Sequence, residues 1–287
     1  MPNALVVYFS ITGTTRAAAE RVALGLRRGG FTADVVRLSA RPGAPPPALP
    51  DGLDLLAVGS PVHYFRLPVP VSAWVGGLPS LDGVAALPFV LHGSYVGAAG
   101  NDLRRLLAGR GCREAGYRRL PGAGSYLPYA RHGWRFSPGQ PDERGLDAAE
   151  DWAACAARGL EPPVARDDRT HWMYRLERAL SAPPLVRRVY APSFSADPAV
   201  CDGCGVCVKK CPAGNVSQAA ARAAPVWGRD CLMCLECALR CPVDAVRTPA
   251  DWAAFKPFFA YNVRRGLRDP ALGKVPVRVE RGRIVEL

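Results

Sequence analysis

Eight of the ten cysteines form one pattern that occurs twice at a constant separation. Each run has the spacing C-x2-C-x2-C-x3-C and is followed directly by a proline. The runs are Cys201, Cys204, Cys207 and Cys211 before Pro212, and Cys231, Cys234, Cys237 and Cys241 before Pro242. Each cysteine of the second run lies 30 residues after its counterpart, as 231 minus 201 shows. This repeat restricts the fold of residues 196–250 more than any other feature, because two sets of thiolates must converge within it.

Thiolates at this spacing are typical ligands of iron–sulfur clusters. Zinc sites use pairs of cysteines with longer gaps, and disulfide frameworks occur in shorter secreted chains, so both are weaker alternatives. Residues 196–248 resemble the bacterial two-cluster ferredoxins, with all eight ligands in register. The resemblance implies two [4Fe–4S] clusters in which the fourth cysteine of each run binds the other cluster. Cluster I would then take Cys201, Cys204, Cys207 and Cys241, and cluster II would take Cys231, Cys234, Cys237 and Cys211.

The glycines within the first cysteine run and the two cysteines outside the repeat lead to one expectation each. Gly203 and Gly205 would let the backbone approach the cluster sulfides closely, because glycine has no Cβ. Cys112 and Cys155 lie outside the repeat, and we expect both to be buried free thiols.

Residues 1–160 show near-continuous apolar runs that alternate with helical segments, a pattern that favours a parallel sheet covered on both faces. The predicted strands are Leu5–Phe9, Ala33–Leu38, Leu53–Val58, Leu87–Leu91 and a weaker one at Tyr117–Leu120. The predicted helices are Thr14–Leu26, one containing Asp102–Leu107, and one from about Asp147 to Arg158.

A turn rich in hydroxyl groups follows the first strand. It contains Ser10, Thr12, Gly13, Thr14 and Thr15, and a helix begins at its end. Hydroxyls and backbone N–H groups at the positive end of a helix suit a terminal phosphate. Plain N-capping of the helix by a serine or threonine is the alternative.

The first strand, this turn and the helix together resemble the phosphate loop of flavodoxins, and the resemblance extends over residues 3–160. In that family the loops after strands three and four hold the isoalloxazine ring of FMN. The implied ring-contact residues are Pro61, Val62, Tyr64, Phe65, His92, Gly93, Ser94 and Tyr95. Tyr64, Phe65 and Tyr95 are candidates for stacking on the ring, with ordinary packing as the alternative. His63 and His92 are candidates for polar contacts with it, with a structural role as the alternative.

These patterns predict an α/β protein: a flavodoxin-like doubly wound parallel sheet with a second, smaller α+β two-cluster ferredoxin domain. The expected boundaries are residues 1–160 for the FMN domain and 161–195 for a connector with a helix at Thr170–Leu180. The ferredoxin domain would occupy residues 196–250. Residues 251–287 would form a basic extension that ends in a hairpin around Arg281-Gly282.

Charge and hydropathy restrict the partners and the location. The net charge is +12, from 37 Lys and Arg against 25 Asp and Glu. This favours an acidic protein partner, although a dispersed arginine excess without function is the alternative. The basic residues form no nucleic-acid motif, no apolar run reaches the roughly 18–20 residues of a membrane span, and no signal peptide is recognised. We therefore expect a cytoplasmic protein that binds neither nucleic acid nor membrane, with a homodimer left open.

The combination resembles the flavodoxin–ferredoxin fusions. It predicts an electron carrier in which FMN and two [4Fe–4S] clusters couple one-electron to two-electron partners. The alternatives are an oxidoreductase acting on NAD(P)H or a small substrate, and a redox subunit of a larger complex. No residue pattern for acid–base or nucleophilic catalysis is found, and no catalytic residue is assigned.

Overall fold

The computed structural model describes residues 1–165, 167 and 171–287. The chain divides into two units, and each unit is assembled from several separate segments. The first unit contains Met1–Ser39, Pro45–Ala123 and Gly139–Ala179, and the second contains Ala40–Ala44, Gly124–Pro138 and Leu180–Leu287. The domain boundaries expected from the sequence remain predictions, since this division does not test them.

The described strands and helices are numbered in chain order. The strands are β1 (Asn3–Tyr8), β2 (Thr32–Arg37), β3 (Leu53–Pro61), β4 (Ala85–His92), β5 (Arg113–Glu114), β6 (Arg118–Pro121), β7 (Trp134–Phe136), β8 (Ser195–Ala196), β9 (Val216–Ser217), β10 (Val226–Trp227), β11 (Val246–Arg247), β12 (Lys274–Glu280) and β13 (Arg283–Glu286). The helices are α1 (Thr14–Arg28), α2 (Val69–Gly76), α3 (Ala99–Ala108), α4 (Leu127–Arg131), α5 (Glu143–Ala157), α6 (Trp172–Leu180), α7 (Pro183–Leu185), α8 (Val206–Lys210), α9 (Glu236–Leu239) and α10 (Lys256–Arg268).

The first unit is built on a parallel sheet with the strand order β2-β1-β3-β4-β5. The short strands β5 and β6 pair with successive parts of β4, so together they form one interrupted edge. The order 2-1-3-4-5 is that of flavodoxin-like doubly wound sheets, which bind ligands at the carboxyl ends of the strands. All five strands expected from the sequence are confirmed, and so is the doubly wound fold.

The strands of the first unit are continuous apolar runs in the sequence because both faces of the sheet are buried. Residues on both faces of β1, β3 and β4 are buried, including Leu5 and Val6, which point to opposite faces. Helices α1 and α5 pack together over one face. Their contact is close at Gly25, where a Cβ would lie 2.1 Å from the carbonyl oxygen of Glu150. A larger residue at position 25 would therefore push the two helices apart.

Two helices differ from the expectations. Helix α2 was not predicted, because Pro68 and Pro70 on either side of Val69 resemble a break in the chain. Proline is tolerated in the first turn of a helix, and here it stands at that position. The predicted connector helix is confirmed as α6 from Trp172, whereas its expected first residue, Thr170, lies outside the described residues.

The second unit repeats one local arrangement around its two cysteine runs. Helix α8 follows the second cysteine of the first run, and α9 follows the second cysteine of the second run. Two short antiparallel ladders, β9 with β10 and β8 with β11, flank them. These elements are the smaller α+β domain that the repeat predicted.

A three-stranded sheet with the order β13-β12-β7 completes the second unit. The hairpin expected around Arg281-Gly282 is confirmed as β12 and β13. Strand β7 was not expected to join it, yet Trp134 pairs with Pro276 and Phe136 with Lys274. Among the described residues, no helix is long and apolar enough to cross a membrane.

Candidate cofactor-binding sites

The hydroxyl-rich turn lies between the carboxyl end of β1 and the first residue of α1. Its tip is Gly13, which has a φ of +97° and is the N-cap residue of α1. The hydroxyl of Ser10 accepts a hydrogen bond from the Gly13 N–H at 3.1 Å. A left-handed φ of this size favours glycine, so the turn leads the chain sharply into the helix. The first N–H groups of α1, which have no partner within the helix, follow directly on this turn.

The threonine hydroxyls of this turn do not cap the helix, since α1 has no side-chain cap hydrogen bond. Thr12 and Thr14 have their hydroxyl oxygens 3.4 Å apart. The hydroxyl of Thr15 is buried and has no hydrogen-bond partner among the described residues. Leaving a buried hydroxyl unpaired costs about 1–3 kcal/mol, so an acceptor or donor at this position would stabilise it. The turn therefore fits a phosphate group better than it fits the plain N-cap alternative.

Two residues that the sequence pattern did not indicate, Arg37 and Gly122, lie next to this turn. Arg37, at the end of β2, donates a hydrogen bond from its guanidinium to the Ser10 carbonyl oxygen at 3.2 Å. Gly122, just after β6, would place a Cβ 3.9 Å from the Thr14 hydroxyl oxygen. Both residues come from strand ends at the same edge of the sheet. Only the pairing of the strands brings them to the turn, so no local pattern could have identified them.

The loop after β3 carries the first group of expected ring-contact residues. Pro61 ends the strand, and the Val62 N–H donates to the Leu91 carbonyl oxygen at 2.9 Å, which joins this loop to β4. Tyr64 and Phe65 follow with φ values of +52° and +59°. Two successive non-glycine residues in the left-handed region cost of order 1–3 kcal/mol each. A reciprocal pair of 3.0 Å hydrogen bonds between the backbones of His63 and Arg66 closes the loop around them.

Helix α6 packs on this loop and changes the roles expected for its aromatic residues. The ring of Phe65 is buried against Tyr174, with centroids 4.1 Å apart. Tyr95, in the loop after β4, also contacts Tyr174, at 5.8 Å. The Arg178 guanidinium donates to the Phe65 carbonyl oxygen at 2.9 Å and to the Asp102 carboxylate at 2.7 Å. Phe65 thus packs against protein, and α6 braces both loops that the resemblance assigns to the flavin ring.

The remaining expected residues lie in the loop after β4 and beside it. His92 ends the strand, and its Nδ1 is 3.0 Å from the Ser94 carbonyl oxygen, within the loop that also holds Gly93. In the first loop, the Nδ1 atom of His63 is buried without a hydrogen-bond partner in the described part of the chain. Burial lowers the pKa of His63 to about 4, so the ring is neutral near pH 7. The two loops, like the phosphate turn, lie at the carboxyl ends of neighbouring strands.

The cysteines expected to hold cluster I converge in the second unit. Cys201, Cys204, Cys207 and Cys241 line one cavity, and Pro242 lies beside them. Cys241 comes from the second run and joins three cysteines of the first. The pKa of the Cys207 thiol is raised, first by burial and then by the neighbouring Cys204 and Cys241.

Two of the cysteines expected to hold cluster II interact electrostatically with Cys211 of the first run. Burial raises the pKa of Cys231 to about 11 and that of Cys237 to about 12, and Cys211 raises both further. Burial is also the main reason that the pKa of Cys234 is raised well above its usual value. Cys211 therefore lies near the second run, as Cys241 lies near the first. Thiols held this way are poor thiolates until metal binds, and coordination removes their protons.

Backbone N–H groups donate hydrogen bonds to the sulfurs of Cys211 and Cys241, the last cysteine of each run. The Cys211 Sγ accepts from Asn215 N–H, and the Cys241 Sγ accepts from Ala245 N–H, each at 3.2 Å. Such hydrogen bonds favour the charged thiolate. Gly203 has a φ of +69°, but its close neighbour is the backbone of Arg222, whose carbonyl oxygen would lie 2.3 Å from a Cβ. Glycine is thus required there by the neighbouring loop.

The alternatives to iron–sulfur binding find little support in this geometry. Every cysteine is a free thiol in the described chain. No three described His, Cys, Asp or Glu side chains lie close enough together to be ligands of a single metal ion. Outside the repeat, Cys112 is buried as expected, and burial raises its pKa, whereas Cys155 is only half-buried.

Comparison with known proteins gives one family match. Residues 193–251 match the model of the 4Fe-4S dicluster domain. No curated protein matches the chain.

Several solved structures are similar to the chain. A flavodoxin from the domain Archaea is 19% identical with a TM-score of 0.42, and the match covers 55% of this chain and 97% of that one. A flavodoxin of Streptococcus pneumonia TIGR4 is 16% identical with a TM-score of 0.41, covering 55% and 99%. Rubredoxin oxygen:oxidoreductase from Desulfovibrio gigas is 17% identical with a TM-score of 0.42, covering 55% and 36%.

The strand order of the first unit and the family match in the second thus agree with the two modules expected from the sequence. The chain thus combines a doubly wound sheet of flavodoxin-like strand order with a segment, residues 193–251, that matches the 4Fe-4S dicluster domain.

Proposed function

We propose that this chain is an electron-transfer protein that relays electrons between FMN in the first unit and two [4Fe–4S] clusters in the second. The observation that carries the proposal is that Cys241 lines the cavity of the first cysteine run, while Cys211 lies near Cys231 and Cys237 of the second. A single-cluster or structural metal site gives no reason for that exchange, whereas it is the ligand pattern of two-cluster bacterial ferredoxins.

The phosphate turn is the part of the first unit that would hold FMN. Ser10, Thr12, Thr14 and Thr15 offer hydroxyls, and the α1 N-terminus offers N–H groups and a positive dipole end. The loops with Pro61, Val62 and Tyr64 and with His92, Gly93, Ser94 and Tyr95 would border the ring. Bound FMN would supply a centre that stores one or two electrons. The contribution of the chain is to anchor the phosphate and to position and shield the ring.

In the second unit the eight cysteines would each provide a thiolate, and each cluster would pass one electron at a time. The N–H groups of Asn215 and Ala245 would stabilise the two crossing thiolates. Coupling these clusters to FMN would let the protein join one-electron and two-electron partners. We expect it to work in the cytoplasm with a redox partner protein, without binding nucleic acid or membrane.

Anaerobic purification with flavin, iron and sulfide analysis tests this proposal. We expect about one FMN and about eight irons per chain, as two [4Fe–4S] clusters require. Titration with NADH, NADPH and reduced ferredoxin then separates a carrier from a reductase. Reduction by ferredoxin without direct bleaching by NAD(P)H supports the carrier, whereas rapid bleaching by NAD(P)H would overturn it in favour of an oxidoreductase. Size-exclusion chromatography of the same sample decides between a monomer, a homodimer and a subunit of a larger complex.

A further inference from the structure

Helix α10 is the most strongly basic element of the second unit. Its residues include Lys256, Arg264, Arg265 and Arg268 but no Asp or Glu. Arg264 and Arg268 are four residues apart, and like charges at that spacing destabilise a helix by about 0.2–0.5 kcal/mol. Arginine near a helix C-terminus is favourable by itself, but this cluster is larger than the helix end requires.

The three arginines of α10 lie opposite its buried side. Phe259, Asn262, Val263 and Gly266 are buried, whereas Arg264 and Arg268 are exposed. One groove of about 300 Å³ on the opposite side has four lining residues. These are Tyr261, Arg264, Arg265 and Arg268, and together with Lys256 at the other end of the helix they are called the basic face below. A guanidinium fork binds carboxylates through two parallel hydrogen bonds, so this groove suits acidic side chains.

The first residue of α10, Lys256, lies about 18 Å along the helix axis from Arg268 and borders a second cavity. Lys256 borders a cavity of about 440 Å³ whose lining also includes Asp244 and Arg247. The segment 243–247 separates this cavity from the one that holds Cys241 and the other cluster I cysteines. Val243, Ala245 and Val246 line the cysteine cavity, whereas Asp244 and Arg247 line the cavity beside Lys256. A group seated there would be one backbone segment away from cluster I.

Three of the four cations of the basic face have no acidic side chain bound to them within the described residues. The acidic groups beside Lys256 are already engaged, because Arg131 binds Asp251 and binds Asp244 at 2.7 Å. Within the described residues, Lys256, Arg264 and Arg268 have no ion-pair partner. Negative charge from a partner would therefore meet cations that the chain itself leaves unbalanced.

We propose that the basic face of α10 is the docking surface for an acidic redox protein, which exchanges electrons with cluster I through the wall at 243–247. This rests on the proposed function, because it requires cluster I to be present. In the forward step one electron leaves reduced cluster I, which becomes oxidised, and enters an oxidised iron–sulfur cluster of the partner, which becomes reduced. No atom or proton is transferred.

Binding of the full-length holoprotein to a ferredoxin of net negative charge tests the docking surface. The variant is Arg264→Gln/Arg268→Gln. The matched control is Arg144→Gln/Arg158→Gln, which removes the same charge from exposed positions of the first unit. Calorimetry gives Kd at 50 and 300 mM NaCl, and stopped-flow absorbance gives the second-order rate constant of electron transfer.

We expect the basic-face variant to raise Kd about tenfold at low salt and to lose most of its salt dependence, with a parallel fall in the rate constant. The control should change either quantity less than about twofold. Equal losses in both variants would overturn the proposal in favour of a general effect of net charge. Iron content and the cluster EPR signal are measured for every sample. A wild type without iron refutes the proposed function, whereas loaded clusters with unchanged binding by the variant refute the docking surface alone.

Discussion

Replacing Thr15 by valine should change the stability of the FMN-free protein and its affinity for FMN in opposite directions. The Thr15 side chain is 1% exposed, and its hydroxyl is buried without a partner in the described chain. Valine has nearly the same shape but no hydroxyl. Removing an unpaired buried hydroxyl relieves a desolvation penalty of about 1–3 kcal/mol, so the FMN-free form should gain stability within that range.

The effect on FMN binding has the opposite sign because a phosphate would pair with the same hydroxyl. A hydrogen bond to a charged group contributes about 1.5–3 kcal/mol. Its loss should raise the Kd for FMN by roughly one to two powers of ten. Quenching of FMN fluorescence measures the Kd, and denaturant unfolding of the FMN-free form measures the stability. Thr32→Val, at an exposed position of β2, is the matched control and should leave the Kd unchanged.

A destabilised FMN-free form with an unchanged Kd would refute this reasoning. That result would mean that the Thr15 hydroxyl stabilises the turn itself and takes no part in phosphate binding. A loss of stability together with a raised Kd would point to general damage of the turn, and it would also count against the role given to the hydroxyl.

Three further outcomes are expected. Cys211→Ser should weaken the EPR signal of cluster II more than that of cluster I, and Cys241→Ser should do the reverse; a loss of the same-run cluster would contradict the crossing. Because burial holds the pKa of His63 near 4 in the folded state, the unfolded state binds more protons between pH 6.5 and 4. Unfolding of the cluster-free protein should therefore become easier by up to roughly 3 kcal/mol as pH falls through that window, and His63→Gln should flatten the profile. Arg178→Gln removes the hydrogen bond from α6 to the loop after β3 and the one to Asp102 of α3, so it should raise the Kd for FMN about tenfold. Arg175→Gln, at an exposed position of the same helix, should leave the Kd unchanged. An equal rise in Kd for both variants would mean that the loss of charge, and not the loss of hydrogen bonds, is the cause.

The parts of the structure that the sequence predicted are those with a local pattern. The doubled cysteine run resembles that of two-cluster ferredoxins, and this resemblance implied the exchange of Cys211 and Cys241; Cys241 lines the cavity of the first run. Strands β1, β3 and β4 are buried on both faces, so their sequences are apolar throughout, and this pattern predicted a parallel sheet. The turn at Gly13 was visible because serine, threonine and glycine cluster there before a helix.

The parts that the sequence did not predict depend on segments that are distant along the chain. Phe65 was a candidate for flavin stacking, but Tyr174 from α6 covers it. Arg37 and Gly122 reach the phosphate turn only through strand pairing. Helix α2 was not predicted because two prolines so close together, Pro68 and Pro70, usually indicate a break in secondary structure, although proline is also tolerated in the first turn of a helix.

Strand β7 has a consequence for the modular exchange of these two units. It lies between segments of the first unit along the chain, yet it completes a sheet with β12 near the C-terminus. A single cut in the gene, at residue 160 or 195 for example, would separate β7 from the strand it pairs with. Grafting a different ferredoxin onto this protein would therefore require transplanting residues 124–138 as well. The same interleaving makes a simple end-to-end joining of two finished genes an incomplete account of how such a chain arose.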